Sequence, residues 1–402
     1  MRTYSRLMGR LGVRPAARAL GRIRARAHSR SRLYLKQALL PHERRAREKG
    51  DSCTASYSAR RFRMRILAQS ALVTLFAVAA AAGADPSPKL PLNRASDVPL
   101  GGGTTRLDYE SVDSTRHLLF IAHLGDSAVI VFDMQSERVV ARILGVSKVH
   151  GVLAIPELGR VYASATGTNE VVAIDETTFK IVARVSGGDY PDGMAYAPDD
   201  HKLYVSDEHG ETETVIDVRT NTRLATISLG GEVGNSQYDP VSKHIFVNVQ
   251  TRNELVEIDP TTDAVIARID LPGAGGNHGL LVEAEQRRAF IACEGNAKLL
   301  VVDLESRKVI NSFSVGADPD VLAYDSIRHE LYVATESGIV SLFRVESGRT
   351  SRIGEALLGP NAHVVAVDPE SHKSYFPLIN VGGKTVLRIM SPAVEGAAGL
   401  MK

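Results

Sequence analysis

Between residues 187 and 230, apolar and polar positions alternate in four short runs, 194–197, 202–206, 213–218 and 223–229. Each run is bounded by Gly, Pro, Asp, Asn or Ser. Short alternation closed by turn formers predicts four β-strands joined by tight turns. One such sheet cannot cover its own apolar faces, and the chain supplies covers by repetition. The aromatic of the second run recurs as Phe120, Tyr162, Tyr204, Phe246, Phe290, Tyr332 and Tyr375, at spacings of 42 to 44 residues. The Asp that ends the third run recurs in the same register as Asp133, Asp175, Asp217, Asp259 and Asp303. Two marks keeping one period, with four strands per repeat, predict a β-propeller. The chain has no Trp, which excludes the Trp-Asp repeats of the WD40 type.

The ends of the pattern predict how the ring closes. The seventh repeat offers three strands, 363–367, 374–378 and 385–389, and no fourth. Residues 95–100, followed by Gly101 and Gly102, mimic the fourth strand 224–229 followed by Gly230 and Gly231. The expected fold is therefore all-β: a seven-bladed β-propeller over 95–390, with four-stranded antiparallel blades, the last completed by the N-terminal strand. That exchange removes two sheet edges. The periodic aspartates have a structural reading, because an Asp carboxylate accepts backbone N–H groups two or three residues on and closes a turn.

Charge changes the picture at the N-terminus. Residues 1–65 hold 19 Lys or Arg against three acids, so the near-neutral total of +2 hides a basic arm and a body of net charge −14. The stretch 66–84 is apolar, follows Arg60, Arg61, Arg63 and Arg65, and ends Ala82-Gly83-Ala84. This is the pattern of a secretory signal peptide. The expected division is a basic arm at 1–63, read as sequence upstream of a start at Met64, a signal peptide at 64–84, a Pro-rich linker at 85–94, and a tail at 391–402. The location follows: periplasmic or extracellular after cleavage near Ala84, with membrane contact only if 66–84 is retained as an anchor. If 1–63 is made, its arginines at every fourth position form a basic helical stripe suited to a membrane or nucleic acid. Without the leader, Cys293 is the only cysteine and no internal disulfide forms; a buried thiol is expected.

Leu203-Tyr204-Val205-Ser206-Asp207, Ile245-Phe246-Val247-Asn248 and Leu331-Tyr332-Val333-Ala334-Thr335 resemble the Tyr-Val-Thr-Asn repeats of YVTN-type β-propellers. The resemblance covers about residues 95–390. It implies a seven-bladed secreted, periplasmic or surface protein, similar in fold to the lactonase-type propellers. It carries little about function, since the repeat residues are core and turn residues. The wider group includes nucleic-acid-binding members, but an acidic body repels phosphate.

Candidate chemistry lies twelve residues before each aromatic: Asp108, His150, Asp192, Gly234, His278, Asp320 and His363. Six of the seven are Asp or His at the start of the innermost strand, near the axis on one face. This ring is the expected funnel-binding site, with His123, Asp207, His209 and Glu294 in the loops around it. Carboxylate oxygen and imidazole nitrogen suit a divalent metal ion as cofactor, held by Asp108, His150 and Asp192 or by His278, Asp320 and His363. The same residues can instead cap loops and join blades.

Two function classes stay open. One is a binding or scaffold protein that takes a small molecule or a protein partner through the funnel or a blade face. The other is a metal-dependent hydrolase of the lactonase type. No HExxH, GxSxG, phosphate-loop, dinucleotide or haem-attachment motif occurs, so binding is favoured, by a monomer and not on nucleic acid. Export is directly checkable: N-terminal sequencing of protein from the cell envelope should begin near Asp85. A cytoplasmic product that keeps residues 1–63 contradicts both the export and the start at Met64.

Overall fold

The computed structural model describes residues 89–393. The basic arm, the signal segment, the first residues of the linker and the last of the tail lie outside the described residues. Seven four-stranded antiparallel sheets make up the described residues; six have their strands in chain order from the axis outward, and the seventh takes its outermost strand from the N-terminus. The innermost strands are Glu110–Asp113, Val149–Ile155, Pro191–Ala197, Val233–Asp239, Asn277–Glu283, Pro319–Asp325 and Ala366–Asp368. The expected seven-bladed propeller is the fold.

Period-two alternation turns successive side chains to opposite faces of a blade, and here both faces are apolar. Phe120 and Ala122 face blade two, while Leu119 and Ile121 face blade seven. The described residues form seven apolar clusters, one at each blade-to-blade interface. Each periodic aromatic enters the cluster shared with the next blade, from Phe120 to Tyr375. Full burial of one such side chain contributes about 1.5–3 kcal/mol, which is why the aromatic keeps its place in every repeat. Two tyrosines also donate to the following blade: Tyr162 to Asn221 Oδ1 at 2.8 Å, and Tyr204 to Asp263. The periodic aspartates are turn residues. Asp175 Oδ1, for example, accepts from Thr177 N at 3.2 Å and Thr178 N at 2.9 Å.

Closure is made by the strand Leu92–Pro99, which pairs antiparallel with Lys384–Pro392. It begins at Leu92 rather than 95, so the last residues of the expected linker belong to blade seven. The cause is apolar: Leu90 and Leu92 pack on the cluster between blades six and seven, and Lys89 bridges to Glu355. The first strand of blade seven is shorter than expected, Ala366–Asp368, while its partners extend over Lys373–Val381 and Lys384–Pro392. Cys293 is fully buried, and burial pushes its thiol up to about 11.

A bidentate ion pair locks the closing strand. Arg388 donates from Nε to Asp97 Oδ1 at 2.7 Å and from Nη2 to Oδ2 at 2.6 Å. These bonds hold the Asp97 carboxyl below the usual carboxylate range. A lowered folded pKa stabilises above the unfolded value, and that stabilisation is lost as pH falls through the folded one. Asp97→Asn should therefore lower stability by about 1–3 kcal/mol at neutral pH, with the difference fading in acid, as read by denaturant unfolding. Deleting residues 89–102 should expose the edge of Lys384–Pro392 and promote unfolding or aggregation. A truncated protein that melts like the full chain contradicts the closure.

Candidate functional site

The ring residues stand at a repeated backbone irregularity. In five blades the innermost strand carries one extra residue relative to its partner: between Val149 and Val152, Pro191 and Met194, Val233 and Ser236, Asn277 and Leu280, and Pro319 and Leu322. His150, Asp192, Gly234, His278 and Asp320 occupy these bulges. A bulge re-aims side chains out of the pleat. Just before them the backbone is left-handed, with φ of 45° at Lys148, 61° at Tyr190 and 52° at Asp318. Such non-glycine conformations cost about 1–2 kcal/mol each, so the closed ring holds this edge against local preference.

Adjacent inner strands approach closely at the residue after each bulged position. A Cβ on Gly151 would sit 2.2 Å from the Asp192 carbonyl oxygen, and one on Gly279 would sit 1.9 Å from that of Asp320. Glycine there brings neighbouring ring members together. Asp108, His150, Asp192, His278, Asp320 and His363 are all buried.

His278 Nε2 lies 3.6 Å from Asp320 Oδ1 of the next blade and 4.0 Å from Asp192 Oδ2, the latter across the blade that contributes Gly234. Blade four contributes Asn235 in its place. The Tyr109 hydroxyl reaches across the axis, donates to Asn235 Oδ1 at 2.8 Å and lies 3.0 Å from His278 Nε2. Tyr109 and Asn235 also line a narrow channel of about 140 Å³, together with Glu110, Val152, Met194 and Leu280. His150 and His363 share one device. Each sets Nδ1 at 3.0 Å from the carbonyl two residues back, of Lys148 and Asn361, which fixes the tautomer and turns Nε2 toward the funnel. His150 Nε2 meets the Tyr190 hydroxyl at 3.0 Å.

The expected metal groupings change. Asp108, His150 and Asp192 do not form one donor group: His150 Nε2 lies 3.8 Å from Asp108 Oδ2 and is engaged by Tyr190, but Asp192 does not join them. The donor atoms that lie within 4.8 Å of one another belong to Asp108, Asp320 and His363, and to His278, Glu294 and Asp320. Asp320 is shared. Of the four loop residues expected around the ring, only Glu294 joins a donor group. Asp207 ends the strand Lys202–Asp207 and accepts from Gly188 N, Thr212 and Thr214. His123 is buried against Thr105 and Arg142. His209 is exposed and stacks on Tyr190, ring centroids 4.2 Å apart.

Sequence reading missed Arg106, Tyr109, Glu208 and Glu336. The glutamates had a signal: Glu208, Gln250, Glu294 and Glu336 each stand four residues after the periodic aromatic. Their backbone N–H groups donate to the carbonyls of Tyr190, Glu232, Gly276 and Asp318 at 2.8–2.9 Å, so they form a second tier of equal geometry. Arg106 had none, since no other blade repeats it. Its Nε lies 3.5 Å from Asp108 Oδ2 and its Nη2 3.7 Å from Asp320 Oδ2, and its Nη1 pairs with Glu336.

Of the six carboxylates of the two tiers, Asp108, Asp320 and Glu336 pair with this one arginine, and Asp192, Glu208 and Glu294 do not. Burial, aided by Asp192 and Asp320 and opposed by Arg106, pushes Asp108 up to about 8. Burial likewise pushes Asp192 up to about 7 against the pull of His278, and raises Glu294. Burial pulls His278 down, but Asp320, Glu294 and Asp192 outweigh it and hold the imidazole at about 9. Burial lowers His150 to about 4, so that ring is neutral. Asp108 Oδ2, Asp192 Oδ1, Asp320 Oδ1, His278 Nδ1 and His363 Nε2 are buried without a hydrogen-bond partner. Buried polar groups are normally paired, and unpaired acceptors are what a bound cation would satisfy.

No family model matches this chain, and no curated protein matches it. Solved structures do. Hydrazine synthase of Kuenenia stuttgartiensis superposes with a TM-score of 0.61 at 13% identity, over 76% of this chain and 98% of that one. U3-55K superposes with a TM-score of 0.64 at 12% identity, over 74% and 99%. These likenesses show the fold alone. The class is that of the seven-bladed β-propellers, with an acidic and imidazole ring at one mouth of the axis.

The packing of the ring is open to a direct check. Gly279→Ala forces a methyl group onto the Asp320 carbonyl, and overpacking of this kind costs about 3 kcal/mol. Thermal unfolding should show a drop of several degrees. A variant as stable as the parent contradicts the close approach.

Proposed function

We propose that the protein is a YVTN-type propeller acting outside the cytoplasm as a binding module, and that its funnel takes a positively charged ligand. The single observation that carries the reading is the set of buried carboxylate oxygens in the ring that accept no hydrogen bond and have only Arg106 and His278 as cations beside them. A purely structural ring would pair its acceptors, because a buried acceptor without a donor costs about 1–3 kcal/mol. The excess of carboxylates over cations gives the ligand its sign, and anionic partners such as nucleic acid meet repulsion. The exported location is the expectation of the 64–84 segment carried over.

The ring imidazoles touch tyrosine hydroxyls and backbone carbonyls rather than a serine or cysteine. They form no nucleophile–base pair of the kind acyl transfer uses. A hydrolase on this ring would therefore have to activate water on a bound metal ion, and a lactone screen with metal-loaded protein separates that alternative from binding.

The test is thermal unfolding of the purified, chelator-treated protein with Mg²⁺, Ca²⁺, Mn²⁺, Zn²⁺ or spermidine. A ligand at one hundred times its Kd stabilises by about 2.7 kcal/mol, a rise of several degrees. At least one cation should produce this saturably in the parent and fail to do so in Asp320→Asn. No shift with any of the five, or an equal shift in the variant, contradicts the reading.

A further inference from the structure

Resting on the cation-binding reading, the geometry points to a more specific arrangement. We infer that the funnel holds one divalent transition-metal ion on His278, Glu294 and Asp320, and that the guanidinium of Arg106 stands where a second ion would sit, on Asp108, Asp320 and His363.

Asp320, 3% exposed, divides its carboxylate between the two groups. Its Oδ1 faces His278 Nε2 at 3.6 Å, while its Oδ2 faces Arg106 Nη2 at 3.7 Å and His363 Nε2 at 4.0 Å. A carboxylate with one oxygen toward each of two donor groups has the disposition of a bridge between two cations. On the first side no Lys or Arg lies within ion-pairing distance of Asp192 or Glu294 among the described residues; the cation there is the His278 imidazole itself, whose Nε2 proton a metal ion would displace, and Asp320 Oδ1 accepts no hydrogen bond. On the second side Arg106 is in place, its three guanidinium nitrogens directed at Asp108, Asp320 and Glu336. His363 has its Nδ1 on the Asn361 carbonyl, so the Nε2 lone pair points into a group otherwise made of carboxylate oxygens. Acceptors gathered in this way need a cation among them, and here the protein supplies its own.

The donor types set the metal. One imidazole and two carboxylates suit Mn²⁺, Fe²⁺, Co²⁺ or Zn²⁺, whereas Ca²⁺ prefers six to eight oxygens. Donors spaced below 4.8 Å need to close only modestly to reach the roughly 2.0–2.2 Å metal–ligand distances of such ions. Tyr109 does not obstruct. Its hydroxyl keeps Asn235 Oδ1 as acceptor at 2.8 Å when His278 Nε2 turns to a metal. Asp192 Oδ2, 4.0 Å from His278 Nε2, is the nearest additional oxygen.

The experiment is calorimetric titration of MnCl₂ and ZnCl₂ into the chelator-treated protein, with electron paramagnetic resonance of the Mn²⁺ form. The parent should bind one ion per chain. Glu294→Gln, in a half-exposed loop, should keep the fold by circular dichroism and lose affinity by at least about 10-fold. His363→Gln should leave the parent stoichiometry at one. Arg106→Ala should raise it to two, with the spectrum of two exchange-coupled Mn²⁺ ions. Absence of saturable metal binding, or undiminished binding in Glu294→Gln, overturns the metal site. A stoichiometry of one in Arg106→Ala overturns the role given to Arg106. If neither metal binds but spermidine stabilises the parent and not Asp320→Asn, this inference fails while the cation-binding reading stands. If Mg²⁺, Ca²⁺ and spermidine also have no effect, both fail.

Discussion

A blade of this protein has two apolar faces and no independent core, so every blade depends on having a neighbour on each side. With seven blades in one chain that condition is met only if the last blade packs against the first. The strand Leu92–Pro99 on Lys384–Pro392, locked by Asp97 and Arg388, meets it. Everything nearer the axis follows from this closure. The bulged inner strands, the left-handed residues before them and the glycines that admit the next blade's carbonyl are all locally unfavourable. Seven interlocking apolar clusters hold them in place.

What the scaffold holds is an electrostatic imbalance. Carboxylates from blades one, three, five and six are brought out of water around one guanidinium and one charged imidazole. Burial consequently holds the Asp108 and Asp192 carboxyls well above the ordinary carboxylate range. Burying charge without enough partners is among the more costly arrangements in a protein. Groups of this kind concentrate at functional sites, where stability is given up for a ligand. The tyrosines sharpen the imbalance: Tyr109 reaches across the axis to Asn235, and Tyr190 with His209 walls one side.

Much of this was legible in the sequence because it repeats. The aromatic at Phe120, Tyr162 and onward keeps its place through a packing role that every blade shares, and the Asp and His twelve residues earlier inherit their radius from the same register. The acidic tier at Glu208, Glu294 and Glu336 lay at an equally regular offset but contains only three acids among seven blades, so it did not stand out. Arg106 and Tyr109 belong to blade one alone and leave no periodic trace. Their importance comes from reaching across the axis, which depends on a channel width that no spacing along the chain reports. The metal groupings failed for the same reason. Sequence order puts His150 between Asp108 and Asp192, yet the nearby Tyr190 hydroxyl engages it and Asp320 becomes the shared member. The start of the closing strand was misplaced because Pro91 reads as linker, whereas Leu90 and Leu92 find an apolar face in blade six.

The central claim is that the ring is a site kept at the expense of stability rather than a device for joining blades. Measuring the unfolding free energy of the cation-free protein, with and without the pair of substitutions Asp108→Asn and Asp192→Asn, tests it most directly. Asparagine keeps the shape and removes the charge that burial penalises. Because both carboxyls titrate far higher in the folded chain than in the unfolded one, they weaken the fold at neutral pH. The account predicts that the doubly substituted, cation-free protein is more stable than the parent at pH 7, and that the advantage shrinks as pH falls toward 4. A substituted protein that is less stable at pH 7 would show that the carboxylates hold the blades together, and would contradict the account.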